Sequence, residues 1–358
     1  MFFKGIPWKT EKKMRYTLAI LCLAMAILPA GAQAEKYAGE FMALGGGARA
    51  MAMGGAFCSV ADDATSTFWN PAGMAGIFGA ASGANDLEMI FMHSERFGNL
   101  IDYNYFSSVF PLKPGESAWG VTLIHMGIDG IPISPYAVEN SDGDDRFEPW
   151  NGESFNFNPM NLKRENVNDF ALFLSYSQVM SFGSLGGSLK LIRNDQITDV
   201  SSFGIGVDVG LLKRALYRDL AVGVKLQDAT GTYISWSTGK REFIYPCLKI
   251  GAGYPLPIRK MNSVLVLAAD GDFRFENMKS VSQFWIGRAS VDFHLGAELL
   301  LRNLVALRGG YDMGRPTAGM GVLLNKFGPW DLDLGIDYAL LVHDELDTTH
   351  RVSMTVRH

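Results

Sequence analysis

The feature that most limits what this chain can become is a rhythm of two. In the run from Asp331 to Leu340, Leu332, Leu334, Ile336, Tyr338 and Leu340 share one parity, and Asp331, Asp333 and Asp337 the other. Successive side chains of a β-strand point to opposite faces, so this alternation specifies strands with one apolar and one polar side. Phe293, Leu295, Ala297, Leu299 and Leu301 repeat it against Asp292, His294, Glu298 and Arg302. Ile205, Val207, Val209 and Leu211 do so against Gly204, Gly206, Asp208 and Gly210. At the end of the chain, Val352, Met354 and Val356 oppose Arg351, Ser353, Thr355 and Arg357. The segments run to about ten residues, the length of a tilted strand crossing a bilayer; globular strands average roughly five or six.

Strands are predicted near 84–94, 100–110, 117–127, 168–179, 183–193, 201–211, 219–228, 245–254, 263–273, 290–300, 303–312, 316–325, 330–340 and 348–357. That makes about fourteen, an even number as single-chain bacterial barrels require. Lys113-Pro114-Gly115-Glu116, Arg302-Asn303 and Phe327-Gly328-Pro329 carry turn chemistry between them. The long connectors 128–167, 229–244 and 274–289 each follow an odd strand, so all three emerge at one end. A soluble sandwich alternates in the same way but turns its charged face to water. Segment length, a Gly-rich polar face and an export leader favour an all-β transmembrane antiparallel barrel.

The leader is residues 1–34. Lys4, Lys9, Lys12, Lys13 and Arg15 precede an apolar run from Thr17 to Leu28, and Ala32-Gln33-Ala34 offers a small-x-small cleavage site. Removing it leaves 27 of the 32 basic residues and 36 of the 37 acidic ones, a net charge of −9. No basic stripe remains to meet phosphates, so nucleic acid is excluded as a partner. The expected address is the outer membrane of a Gram-negative-type bacterium, with outer-membrane lipid as the surroundings. Residues 81–358 are then the barrel.

Residues 35–80 lack the alternation. They are small-residue rich, with Gly45-Gly46-Gly47 and Gly54-Gly55, and then Asp62-Asp63 ahead of Phe68-Trp69-Asn70-Pro71-Ala72-Gly73. Asp62 or Asp63 is placed to cap a short helix ending near Trp69, and Asn70, preceding Pro71, must be extended. A compact segment ahead of a barrel fits inside it as an N-terminal plug, or hatch. No strand precedes the glycines and no Gly-Lys-Ser/Thr follows, so a phosphate cradle is not expected. Arg49, a lone cation among small residues, needs an acidic partner on the lumen face, with Asp292, Glu298, Asp333 and Asp337 as candidates.

The stretch Gly47 to Phe57, followed by Ala61-Asp62-Asp63-Ala64 and Trp69-Asn70-Pro71-Ala72-Gly73-Met74, resembles the PorV/PorQ family within the FadL-like outer-membrane barrels. The resemblance extends through Gln227-Asp228-Ala229-Thr230-Gly231-Thr232, Leu248 to Tyr254 and the closing Asp337 to Ser353. It implies a barrel of fourteen strands and a hatch motif of Gly47, Arg49, Gly54, Gly55, Asp62, Asp63, Trp69, Asn70, Pro71 and Gly73. It implies two functions. PorV/PorQ-type members point to protein export of the type IX kind, with secretion-machinery proteins or exported cargo as partners. FadL-like members point to transport of hydrophobic small molecules such as long-chain fatty acids. For transport, Met51, Met53, Phe57, Phe68 and Met74, with Met42 and Trp69 beside them, are candidate ligand contacts. The export role is the expected one, and transport the alternative.

Catalysis is not expected. The six His form no HExxH pair, no nucleophile elbow is present, and no cofactor or metal is implied. Asp142-Gly143-Asp144-Asp145 misses the calcium-loop spacing and reads as a solvated loop. Cys58 and Cys247 are treated as free, and His294 with Asp292 and Glu298 as a polar ladder facing the lumen.

Overall fold

The computed structural model describes residues 39–79, 86–96, 100–133, 138–140, 155–157, 162–276, 278–328, 332–342 and 348–358. The leader, Asp331 and the acidic loop around Asp142 lie outside them.

Alternation becomes wall. Fourteen long strands pair antiparallel in chain order: Glu88–Arg96, Ile101–Lys113, Ser117–Ile133, Lys163–Met180, Gly183–Asp195, Ser201–Tyr217, Leu220–Gln227, Cys247–Ile258, Ser263–Arg274, Ala289–Leu301, Val305–Asp312, Arg315–Phe327, Leu332–Leu341 and Thr349–Arg357. The first strand pairs with both the second and the last, in a register that sets Glu88 opposite Val109 and Arg357. That pairing closes the sheet and leaves the barrel without an edge. Leu87 and His358 extend the seam by two further backbone hydrogen bonds, at 2.9 and 3.2 Å.

The burial of each face decides between sandwich and barrel. On Ala289–Leu301, Phe293 and Leu295 are 45% and 52% exposed, whereas Asp292 and Glu298 are 2% and 4% exposed. Ile336 is 58% exposed and its neighbour Asp337 only 5%. The apolar face therefore looks outward and the charged face inward, the arrangement of a barrel in lipid. None of the described helices is long and apolar enough to cross a membrane.

Each predicted strand forms, and several run further than the alternation alone suggests. Ser117–Ile133 and Lys163–Met180 continue past the apolar belt through a bulge between Ile128 and Ile131. The long connectors do share one end, and all three carry strands of their own: in the first, Val138–Asn140 pairs with Phe155–Phe157. Thr232–Trp236 pairs with Arg241–Ile244, and Phe284–Ile286 pairs with Ala289–Leu301. The strand Ser263–Arg274 is apolar on both parities for a tertiary reason. Leu265 and Leu267 face outward, while Ala268 and Val266 pack on Phe57 and Val60 inside the barrel.

Residues 39–79 fill the lumen. They enter at the long-loop end, where Gly39 touches Ile244, and work down to Ala64, whose amide donates to Glu88 near the short-turn end at 2.6 Å. Within the segment are short helical turns at Glu40–Leu44, Ala48–Ala52, Ser66–Trp69 and Pro71–Gly76.

Candidate functional site

The hatch is seated by backbone contact with glycines of the wall. A β-carbon at Gly186 would lie 2.4 Å from the carbonyl carbon of Pro71, and one at Gly310 only 2.3 Å from the amide nitrogen of Gly54. Gly223 stands in the same relation to Cys58, and Gly296 to Met53, at 2.2 and 2.5 Å from their carbonyl oxygens. These glycines sit on the lumen-facing parity of their strands, so the Gly-rich polar face is the imprint of the hatch. Gly54 itself has φ +65 and lies against the backbone of Leu295 and Tyr311, a position where a side chain fits neither the dihedral nor the space.

Asn70 is extended, with φ −159, as its position before proline requires. Its side-chain oxygen accepts from the Ala72 amide at 3.2 Å, and its side-chain nitrogen donates to Cys58 at 2.8 Å and to Leu211 of the wall at 3.3 Å. Pro71 opens the next helical turn, where its missing N–H costs nothing. One amide side chain thus ties three segments together. Gly73 packs on the Ala61 carbonyl, and the Trp69 indole donates to Gly46 at 2.8 Å. Asp63 accepts from the amide of Thr65 at 2.9 Å and orders the turn ahead of Ser66–Trp69. Burial pushes its carboxyl up against the pull of Arg49.

Arg49 is the ionic hub. Its Nε and Nη2 donate to the two oxygens of Glu298, both at 2.8 Å, and its Nη1 to Asp62 at 2.6 Å and Asp63 at 3.1 Å. Of the four candidate partners, Glu298 takes it. Burial disfavours the guanidinium, and Asp62 and Glu298 outweigh that and hold it charged. Arg308 joins Glu298 to Asp337, each at 2.6 Å, while Asp292 pairs with Arg274 instead. A polar cavity of about 290 Å³ lies at this end, bordered by Arg49, Asp63, Glu88, Glu298, Asp333 and Arg357. His294 Nδ1 lies within donating distance of the Gly54 carbonyl, at 3.0 Å, and of Asp312, at 2.9 Å, and its Nε2 faces Asp272 at 3.6 Å, so it meets these groups and not the expected Asp292 and Glu298.

Above the hub the lumen changes character. Met92, Tyr103, Tyr105, Ile124, Phe173, Ile192 and Ile234 all face inward and form one apolar cluster. Phe41 and Met42, from the first turn of the hatch, fill its centre, each less than 8% exposed. Phe68 borders it, ringed edge-on by Tyr105 and Phe173. Lys190 and Lys225 lie beside the Phe173 and Phe68 rings, at 5.8 and 5.4 Å. Both lysines are compensated by Asp208 at 2.9 Å, and Lys190 also by Asp228 at 2.5 Å.

Of the proposed ligand contacts, only Phe68 and Met42 reach this chamber. Met53 and Phe57 pack in a second cluster with Ala268, Met74 in a third with Ile90 and Val109, and Met51 in a fourth with Ala339. The wall residues of the chamber were missed because the period-two reading assigns the inward face to polar side chains. The signal was available. Tyr103 and Tyr105, like Ala171 and Phe173, are apolar on the parity that elsewhere carries Asp, Ser and Gly.

Cys58 packs on Gly251, four residues along its strand from Cys247, or about 13 Å at roughly 3.3 Å per residue. Both cysteines are free and buried. Burial, with Asp270 beside it, pushes the Cys58 thiol far up and away from its reactive thiolate. Iodoacetamide at pH 8 is therefore expected to leave Cys58 unmodified in the folded barrel and to label it only after denaturation, read by peptide mass spectrometry. Labelling of the folded protein within minutes would contradict this placement.

With this geometry in place, solved structures provide a comparison. The chain is similar to the CymD monoaromatic hydrocarbon channel at 13% identity and a TM-score of 0.50, covering 88% of this chain and 97% of that one. That likeness is one of fold, a closed antiparallel barrel. A Pseudomonas aeruginosa FadL homologue aligns over 91% of this chain and 98% of its own, at 11% identity and a TM-score of 0.47. No protein-family model matches the chain, and no curated protein does. None of the likenesses singles out the PorV/PorQ family.

Proposed function

We propose that this chain is an outer-membrane conduit for a hydrophobic small molecule, bound in the apolar chamber and released past the hatch. In this reading residues 1–34 direct export and are removed, residues 35–80 form the hatch, and residues 81–358 sit as a barrel among outer-membrane lipids. The hatch motif from Gly47 to Gly73 seats and latches the plug. Phe68 is the ligand contact among the aromatic and sulfur side chains of that segment, and Met51, Met53, Phe57 and Met74 hold the hatch together.

One observation carries the reading: an apolar chamber lined by inward-facing aromatic and aliphatic wall residues, set beside stretches of lumen wall that carry buried charges. A pore for polar solutes has no use for it, whereas a site for a greasy ligand consists of apolar walls with a few polar groups. Likeness in fold to a hydrocarbon channel supports the same conclusion. Phe41 and Met42 occupy the chamber as a ligand would, so Phe41→Ala should open space there. For the full chain held in amphipol, the expected result is saturable binding of the neutral probe N-phenyl-1-naphthylamine. Binding should tighten several-fold in Phe41→Ala and disappear in Ile124→Trp. Absence of binding in all three proteins would overturn the conduit.

The export role keeps one support, the resemblance of the opening and closing motifs to PorV/PorQ proteins. Secretion-machinery proteins or cargo that co-purify in gentle detergent, in place of a lipophilic compound, would favour it.

A further inference from the structure

The outer wall carries a groove of mixed character. It lies across Glu88–Arg96, Ile101–Lys113, Ser117–Ile133 and Thr349–Arg357. Its volume of about 390 Å³ falls within the range of ligand sites, roughly 300–1,000 Å³. Phe91, Phe106, Leu123, Val352 and Met354, all on the outward parity of their strands, form its apolar part. The Phe91 and Phe106 rings lie 4.8 Å apart. His93, Asn104 and His125 form its polar part. The floor is continuous sheet. Pairing runs without a shift from Glu88–Val109 to Arg96–Ile101 and from Asp102–Gly127 to Pro111–Ala118, so the groove is closed to the lumen.

The polar part is wired in one direction. Asn104 Oδ1 accepts from His93 Nδ1 at 2.8 Å, and Asn104 Nδ2 donates to His125 Nδ1 at 3.4 Å. His125 therefore carries its proton on Nε2, which donates to Asn168 at 2.9 Å, and its ring stacks on Phe170 at 4.6 Å. One step nearer the long loops, Glu95 and Asp102 stand opposite each other on the same two strands, and Glu95 lies 3.6 Å from His93. Among the described residues, no Lys or Arg lines the groove.

The height of this row makes it costly. Asn104 stands eight residues above Leu112 on its strand. That is about 20 Å along the barrel axis, at roughly 3.3 Å per residue and a tilt of about 40°. The apolar band of such a barrel is about 25 Å tall, so the row lies at its upper margin, in the outer leaflet where acyl chains meet their heads. The same count up from Leu301 reaches Phe293, an outward aromatic that is 45% exposed. Lipid tails favour that choice. Against tails alone, the donors and acceptors that His93, Asn104 and His125 do not use on one another would go unpaired. The apolar part of the groove is continuous with the lipid-facing belt, so the molecule that fills it comes from the bilayer.

We propose that this groove seats one outer-leaflet lipid with an uncharged glycosyl head. Its tails lie on Phe91, Phe106, Leu123, Val352 and Met354. Its hydroxyls accept from the amides and imidazoles of the row and donate to Glu95 and Asp102. A hydroxyl both donates and accepts, which suits such a mixed row. A phosphate head is anionic and only accepts, and here it would meet two carboxylates and no cation. The seat is on the outside of the barrel and does not depend on what the chamber binds.

Native mass spectrometry of the full chain in tetraethylene glycol monooctyl ether tests the seat. The titrants share their tails: dioleoyl glucosylglycerol, dioleoylglycerol and dioleoyl phosphatidylglycerol. Wild type should take up one glucosyl lipid at least fivefold more tightly than either of the others. Asn104→Leu combined with His125→Leu should keep heat-modifiable migration and bind all three within twofold of one another, and His93→Leu should lower the preference in the same direction. Ile192→Trp, which fills the luminal chamber, should keep the wild-type preference. Equal binding by wild type, a preference for the phosphatidyl lipid, or a glucosyl preference retained in the double variant overturns the seat. Loss of the preference in Ile192→Trp would put the lipid in the chamber and overturn it as well.

Discussion

Gly186→Ala combined with Gly310→Ala will unseat the hatch. The two added methyl groups fall 2.4 and 2.3 Å from backbone atoms of Pro71 and Gly54, and main chain cannot swing aside as a side-chain tip does. Overpacking a filled interior costs about 1–3 kcal/mol per site. The sites lie on distant strands, so their costs should nearly add. The same strands provide controls. Gly187 and Gly309 point outward, where the nearest atoms to a new β-carbon are 3.6 and 4.0 Å away, so alanine there should change nothing. Trypsin reads the outcome, because Arg49 is the only basic residue between 39 and 79. Cleavage after Arg49 should be slow in wild type and the control pair and fast in the double variant. Cells carrying the double variant should also admit vancomycin. Equal cleavage of both pairs would refute the claim that these glycines seat the hatch.

Glu298→Ala should loosen the same segment from its ionic side. Glu298 bridges Arg49 of the hatch and Arg308 of the wall, and its side chain is 5% exposed. Removing one member of a buried pair typically costs about 3–5 kcal/mol, because a desolvated charge is left behind. Arg49 keeps Asp62 and Asp63, and Arg308 keeps Asp337, so the lower end of that range is expected. Amide exchange of Ala48–Ala52 should accelerate on the order of a hundredfold, at roughly tenfold per 1.4 kcal/mol. Arg49→Ala should act in the same direction. The double variant should be less severe than the sum, with a coupling energy of about 1–3 kcal/mol. Strict additivity would mean that the two side chains do not support each other, despite their short contacts.

Much of the architecture was legible because its code is local. Period-two patterning reports which residues share a face, whatever partner strand they later meet, and fourteen such runs foretold fourteen wall strands. The end at which the long connectors emerge follows from counting alone. Asn70-Pro71 was equally readable, since proline constrains its predecessor through bonded geometry. The loss of alternation over 35–80 marked a segment unlike the wall. Arg49, alone among small residues, announced its need for a carboxylate.

What remained hidden depends on closure. Arg49 and Glu298 are 249 positions apart, and three other acids had the same claim on sequence grounds. The choice was made by the register in which fourteen tilted strands close, which sets the height of every lumen side chain. The same register decides which inward glycines receive backbone and which inward aromatics meet as a chamber. Patterning could say that Arg351 faces inward, but not that it would find a carbonyl where its neighbours find carboxylates. Sequence alone determined the strands, their two faces and the presence of a separate segment ahead of them. Only the tertiary structure decided which groups face one another across the lumen, because that depends on distances between residues far apart in the chain.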